Sequence, residues 1–218
     1  MNINSRKQVE ASFHDKLRNQ KLESNKNELE HLTANKKFYA ITRKSTSFVS
    51  NILKKNCKNK KALDYCCGNG SNTIFLAKQG AQAVGIDISP ISIANCKKKA
   101  VEAGVEKDTN FLVMDAENTQ FPDNSFDIIT CLGVLHHLNT KKAFDELSRI
   151  LKPDGYVLCQ EPLIYNPIFQ YYRKKTPHLR TQWETKHILS KKDIELAKQY
   201  LGKVEIKFFH LATLAAVP

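Results

Sequence analysis

Asp64, Gly68, Gly70, Asp87, Asp115, the pair His136-His137 and Glu161 are the residues whose types and spacing could do chemistry. The stretch Ala62-Leu63-Asp64-Tyr65-Cys66-Cys67-Gly68-Asn69-Gly70 is a short apolar strand running into a glycine-bearing turn. A second strand, Val84-Gly85-Ile86-Asp87, ends in an acid 17 residues beyond Gly70. Glycine lets the backbone pass close to a bound group, and a helix opening after it presents free N–H donors. An acid at the tip of the next strand can accept from both ribose hydroxyls. The combination describes a nucleotide cradle, open at this point to NAD, FAD or S-adenosylmethionine.

Those residues have to be positioned by regular elements. From residue 61 short β-rich runs alternate with helices, with strands expected near 61–65, 82–86, 109–113, 126–131, 155–160 and 203–209. Such alternation implies a parallel sheet covered on both faces. Ser89-Pro90 reads as an N-cap with proline at the first helical position, Gly104 stands where the helix 90–103 should end, and Ser190 with Asp193 makes a capping box. Lys152-Pro153-Asp154-Gly155 reads as a turn delivering the chain into the strand that follows. Before residue 57 there is no strand pattern, only helical spacing such as Phe48, Val49, Ile52 and Leu53. The expected organisation is a helical cap over residues 1–56 and an α/β domain over 57–218. Within that domain the stretch 161–189 exceeds an ordinary connection and is expected to act as a lid.

A chain of 218 residues can bury one good core. Its apolar runs are too short to cross a bilayer, and its polar start lacks the apolar stretch of a signal peptide, so a cytoplasmic location is expected. The six cysteines show no CxxC spacing, which predicts reduced thiols and no zinc site. The net charge of +12 is unevenly placed. Residues 1–61 hold 15 Lys+Arg against 5 Asp+Glu, residues 62–160 hold 9 against 12, and residues 161–218 hold 10 against 5. Basic flanks around a mildly acidic cradle fit solvated helices, a phosphorylated substrate, an anionic membrane surface or nucleic acid.

Three more features follow in order: Val113-Met114-Asp115-Ala116, then Leu132-Gly133-Val134-Leu135-His136-His137-Leu138, then Glu161-Pro162. With them the chain resembles the class I S-adenosylmethionine-dependent methyltransferases, in the broad type 11 group that includes the ubiquinone and menaquinone ring methyltransferases. The resemblance covers roughly residues 60 to 210. It implies a doubly wound, mostly parallel Rossmann-like sheet, no metal, and S-adenosylmethionine as cofactor with S-adenosylhomocysteine as product. It places Asp64, Gly68 and Gly70 against the methionine part, Asp87 on the ribose hydroxyls and Asp115 on the adenine amino group. Ala116 would offer a backbone N–H to the ring, Ile88 an apolar face, and Cys66 and Leu132 further wall. The family usually has glycine where Cys66 stands. A sulfonium nucleoside carries no phosphate and suits a mildly acidic cradle. The third glycine of an NAD fingerprint is replaced by Ser71-Asn72-Thr73.

His136 and His137 are candidate bases, with shaping of the pocket as the alternative role. Glu161 would either orient an acceptor hydroxyl or pair with an arginine. In the lid, Arg173 and Arg180 could clamp a carboxylate or phosphate, while Tyr165 and Trp183 wall an apolar body. Tyr39 and Arg43 of the cap could reach the methionine carboxylate. The expected function is O- or C-methylation of a small molecule, anionic or lipid-linked. The alternatives are RNA methylation through the basic flanks, which no RNA-binding module accompanies, and non-catalytic binding of S-adenosylmethionine. The short apolar end after residue 209 suggests a missing or abbreviated seventh strand, hence a truncated piece or a homodimer contact.

Overall fold

The computed structural model describes residues 3–23 and 43–209. Its centre is a five-stranded sheet made of β1 (Lys61–Tyr65), β2 (Gln82–Asp87), β3 (Thr109–Val113), β4 (Phe126–Leu132) and β5 (Leu151–Gln160), in the order β3-β2-β1-β4-β5 with every pairing parallel. Around it lie α1 (Ile3–Glu23), α2 (Arg43–Asn56), α3 (Ser71–Lys78), α4 (Pro90–Glu102), α5 (Thr140–Ile150), α6 (Pro167–Lys175), α7 (Gln182–Lys186) and α8 (Lys191–Leu201). This is the expected α/β class.

Alternation along the strands sorts the core into two layers. Ala62 and Ile128 point to the face covered by α2, α3 and α4, where they meet Val49, Leu53, Leu76, Ile93 and Phe111. Leu63, Tyr65 and Ile129 point to the opposite face, against Phe144, Leu147 and Ile150 of α5. Both faces are buried, which is why the central strands read as continuous apolar runs. The order of strands reverses between β1 and β4, and an open α/β sheet leaves a crevice above the carboxyl ends of the strands there.

The expected caps form. Ser89 accepts from the Ser92 N–H, and the Ser190–Asp193 capping box is complete. Helix α3 fits against β2 because Gly85 has no side chain. A Cβ there would stand 2.7 Å from Thr73 Oγ1 and 2.9 Å from the Phe111 ring. Gly85→Ala is therefore expected to cost about 1–3 kcal/mol of stability, read from denaturant midpoints, by prying α3 off the sheet.

Two elements differ from the sequence expectation. Lys152-Pro153-Asp154-Gly155 is not a turn ahead of the strand but part of β5, carried as a register shift: Phe126 pairs with Leu151, and Ile128 with Tyr156. Proline is tolerated in such a bulge because its missing N–H is not needed for the ladder. Residues 203–209 do not form a strand. Val204, Ile206 and Phe208 alternate with charges as a strand would, yet Ile206 and Phe208 are exposed, so the alternation has no face to bury. The segment turns back toward α2, where Phe209 packs on Phe48. Residues 210–218, where a seventh strand was in question, lie outside the described residues.

Candidate active site

The strand ends open into a cavity of about 330 Å³, within the roughly 300–1,000 Å³ of small-molecule sites. Cys66, Gly68, Asp87, Ile88, Asp115, Ala116, Leu132 and His137 line it from the sheet side, and Arg6, Lys7, Glu10 and His14 from α1.

The turn after β1 is built to be narrow. Cys66, Gly68 and Gly70 all take left-handed backbone, with φ of 60°, 55° and 76°. Cysteine therefore occupies a conformation that favours glycine. The segment holds because the Cys67 N–H bonds to Ile86 O at 2.7 Å and the Gly68 N–H to Asp87 Oδ2 at 2.9 Å. A β-branched side chain would tolerate this φ far less well. Cys66→Val is expected to lower stability by about 1–3 kcal/mol while Cys66→Gly stays close to the parent, measured by urea unfolding. Burial, then the nearby charges of Asp87 and Asp64, pushes the Cys66 thiol well above its usual range, so it stays protonated and unreactive.

Asp87 is fixed from two sides, accepting from the Gly68 N–H through Oδ2 and from the Ser89 N–H through Oδ1, at 2.9 Å each. Asp115 accepts from the Glu117 N–H at 2.9 Å and pairs with Lys7. The Tyr65 hydroxyl donates to Ala116 O and fixes the backbone of that loop. Glu117, a residue with no sequence signal of its own, is buried; it pairs with Arg6 and accepts from the Asn139 N–H at 2.7 Å.

Several sequence-derived site residues fall elsewhere. Asp64 does not face the cavity: it is buried beneath the turn, accepting from Asn72 Nδ2 at 2.8 Å, Thr73 Oγ1 at 2.7 Å and Thr130 Oγ1 at 3.2 Å. Burial raises its pKa, partly offset by those donors. Its place is to tie α3 and β4 to the cradle. Gly70 opens α3 and abuts Cys96, so it too is off the cavity wall. Glu161 is not poised for an acceptor. Its Oε1 accepts from the Val134 and Leu135 N–H groups at 2.6 and 2.8 Å, and its Oε2 meets His136 Nδ1 at 2.9 Å. His136 is accordingly buried under the loop, while His137 beside it lines the cavity with Nδ1 3.1 Å from Glu10 Oε2.

The lid arginines also turn inward. Arg173 bonds to Glu184 O at 2.8 Å and pairs with its carboxylate at 3.3 Å; Arg180 bonds to Thr176 O and Oγ1 at 2.8 Å. Tyr165 is exposed and its hydroxyl accepts from the Lys191 N–H. Trp183 stacks on His187 at 3.5 Å and lines a second hollow of about 420 Å³, which shares Leu138 with the cavity. Arg43 is exposed at the start of α2, away from the cavity, and Tyr39 lies outside the described residues.

The cavity fits a sulfonium nucleoside. Among the described residues its sheet-side wall offers three carboxylates, Asp87, Asp115 and Glu117, and apolar Ile88, Met114 and Leu132, but no lysine or arginine. The cations of α1, Arg6 and Lys7, are already paired with Glu117 and Asp115. Residues 63–159 match the family described as "Methyltransferase domain". Over that stretch, from β1 to the end of β5, the chain is similar to a methyltransferase domain.

Relatives of this stretch include a demethylmenaquinone methyltransferase of Lactiplantibacillus plantarum, 33% identical over 54% of this chain and 53% of its own length. A probable tocopherol O-methyltransferase of Oryza sativa is 34% identical over 46% of this chain and 28% of its own. The chain thus spans about half, or less, of the length of these relatives. Among solved structures, the YcgJ protein of Bacillus subtilis superposes with a TM-score of 0.54 at 28% identity, covering 64% of this chain and 60% of that one. Among the described residues no helix is long and apolar enough to cross a membrane.

Proposed function

We propose that the protein transfers a methyl group from S-adenosylmethionine to an oxygen or carbon of a small molecule. The observation that carries this reading is the cavity itself: two fixed carboxylates, Asp87 and Asp115, at the strand ends, closed over by α1. Asp87 would accept from the ribose hydroxyls, and Ile88 and Leu132 would flank the purine. Asp115 would take the adenine amino group, sharing its carboxylate with Lys7. When bound, the cofactor supplies a methyl carbon already activated by its sulfonium. The protein's task is then alignment and exclusion of water, worth roughly 7–11 kcal/mol in well-held intramolecular cases. His137, His14 and Glu10 form the polar wall opposite the cradle, where an acceptor would lie.

A small acceptor is favoured over RNA because the basic flanks are partly spent inside the fold. Arg6, Lys7, Arg173 and Arg180 all pair with internal carboxylates. A quinone-type, lipid-linked or anionic acceptor fits the names of the relatives, several of which modify ring compounds. The test is calorimetric titration with S-adenosylhomocysteine, followed by transfer of labelled methyl to a panel of phenols, quinols and carboxylates. Binding with transfer supports the enzyme reading, whereas binding without any acceptor across the panel points to a sensing module. No binding would overturn both.

A further inference from the structure

Glu10 and His14 lie one turn apart on α1 and meet His137, which the turn Leu135–His137 presents from the far side of the cavity. Glu10 Oε2 is 3.1 Å from His137 Nδ1 and 3.7 Å from His14 Nε2, and the three donor atoms all lie within 4.8 Å of one another. Around a zinc-type ion with bonds of about 2.0–2.2 Å, neighbouring donor atoms stand roughly 3–3.6 Å apart. The geometry points to a divalent-cation site of zinc type formed by Glu10, His14 and His137, stapling the cap helix α1 to the loop after β4.

Three features support ligation over a plain hydrogen-bonded triad. Two imidazoles and one carboxylate form a set that binds borderline metals, with coordination positions left for a water or substrate. All three residues line the cavity, so those open positions face it. The second carboxylate oxygen is already oriented, since Thr181 Oγ1 donates to Glu10 Oε1, an outer-shell contact of the kind that fixes metal ligands.

A neighbouring group, His136, His137 and Glu184, is the weaker candidate. Glu184 is held by Arg173 at 3.3 Å and Arg180 at 3.5 Å, and His136 Nδ1 is engaged by Glu161 at 2.9 Å. Two guanidiniums beside a carboxylate oppose a cation there.

The substrate class this site implies is an oxygen acceptor, a phenol, enol or carboxylate, whose oxygen takes an open position on the ion. A hydroxyl so bound gives up its proton to water at lower pH. Its oxygen then bonds to the methyl carbon as the S–C bond breaks, leaving the neutral thioether. Only this last step rests on the methyl-transfer reading.

The test uses the whole protein, stripped with a chelator and titrated with Zn²⁺, Mg²⁺ and Co²⁺. The expected result is one Zn²⁺ per chain with a raised unfolding midpoint, no comparable effect of Mg²⁺, and a Co²⁺ spectrum with ligand-field bands but no thiolate charge-transfer band. His14→Ala and Glu10→Gln should each weaken Zn²⁺ at least tenfold, and alanine at a half-exposed helical position leaves the fold intact, checked by circular dichroism. Zn²⁺ affinity unchanged in both variants, a thiolate band, equal binding of Mg²⁺, or no binding would each overturn the site. Titration of the stripped protein with S-adenosylhomocysteine reads the cradle separately: failure there removes the methyl-transfer reading and leaves the cation result standing.

Discussion

Glu161→Ala is expected to lower the unfolding free energy by about 3–5 kcal/mol, because it strips a buried charge-assisted network of the carboxylate at its centre. One carboxylate oxygen serves the N–H groups of both Val134 and Leu135, and the other meets His136. Its side chain is 5% exposed, so water does not easily replace it. The two backbone donors and the imidazole Nδ1 would lose this partner at the loop that carries His137. Glu161→Gln retains a carbonyl oxygen for the two N–H groups and should lose less than about 1.5 kcal/mol. Urea unfolding of both variants measures this. An alanine variant as stable as the parent but unable to transfer methyl would assign the carboxylate to chemistry instead of positioning.

That result would also explain what the sequence could and could not disclose. The strands β1 to β4, the caps at Ser89 and Ser190 and the acid at Asp87 are local patterns, set by periodicity and turn chemistry within a few residues, and they were readable. The strand expected at 203–209 failed because alternation reports only a capacity to pair, while pairing needs a sheet face to bury the apolar half. Glu161 and Asp64 look like site residues in a linear reading because both stand at carboxyl ends of strands. Whether such a carboxylate points into the crevice or under it depends on which donors come near, and those donors lie 8 to 66 residues away.

The cap helix shows the same limit from the other side. Arg6, Glu10 and His14 follow one another at intervals of four, a polar stripe on one face of a helix, and that spacing was a usable signal. Its partners were not legible. Glu117 and Asp115 meet α1 across more than 100 residues of chain, and nothing in Asp115-Ala116-Glu117 distinguishes the buried Glu117 from a surface acid. The four pairings of α1 with Glu117, Asp115, His137 and Ser89 make it the roof of the cavity. A methyl-transfer site needs such a roof, since an exposed sulfonium would lose the alignment on which the reaction depends.

The cofactor assignment turns on Asp87, and Asp87→Ala is expected to weaken S-adenosylhomocysteine at least 100-fold, a loss of about 2.7 kcal/mol. Two effects add. The ribose hydroxyls lose a charged acceptor, worth about 1.5–3 kcal/mol. The Gly68 and Ser89 N–H groups lose the carboxylate that ties the turn after β1 to the start of α4, so the cradle widens where it must be narrow. Asp87→Asn separates the two. An amide keeps one acceptor oxygen but turns an NH₂ toward one of the two backbone donors, so it should fall between alanine and the parent in affinity. Calorimetric titration gives the affinities, and thermal unfolding without ligand reports how far the turn itself is damaged. If the alanine variant binds S-adenosylhomocysteine as tightly as the parent, the ribose does not sit on Asp87, and the cavity is not the cofactor site.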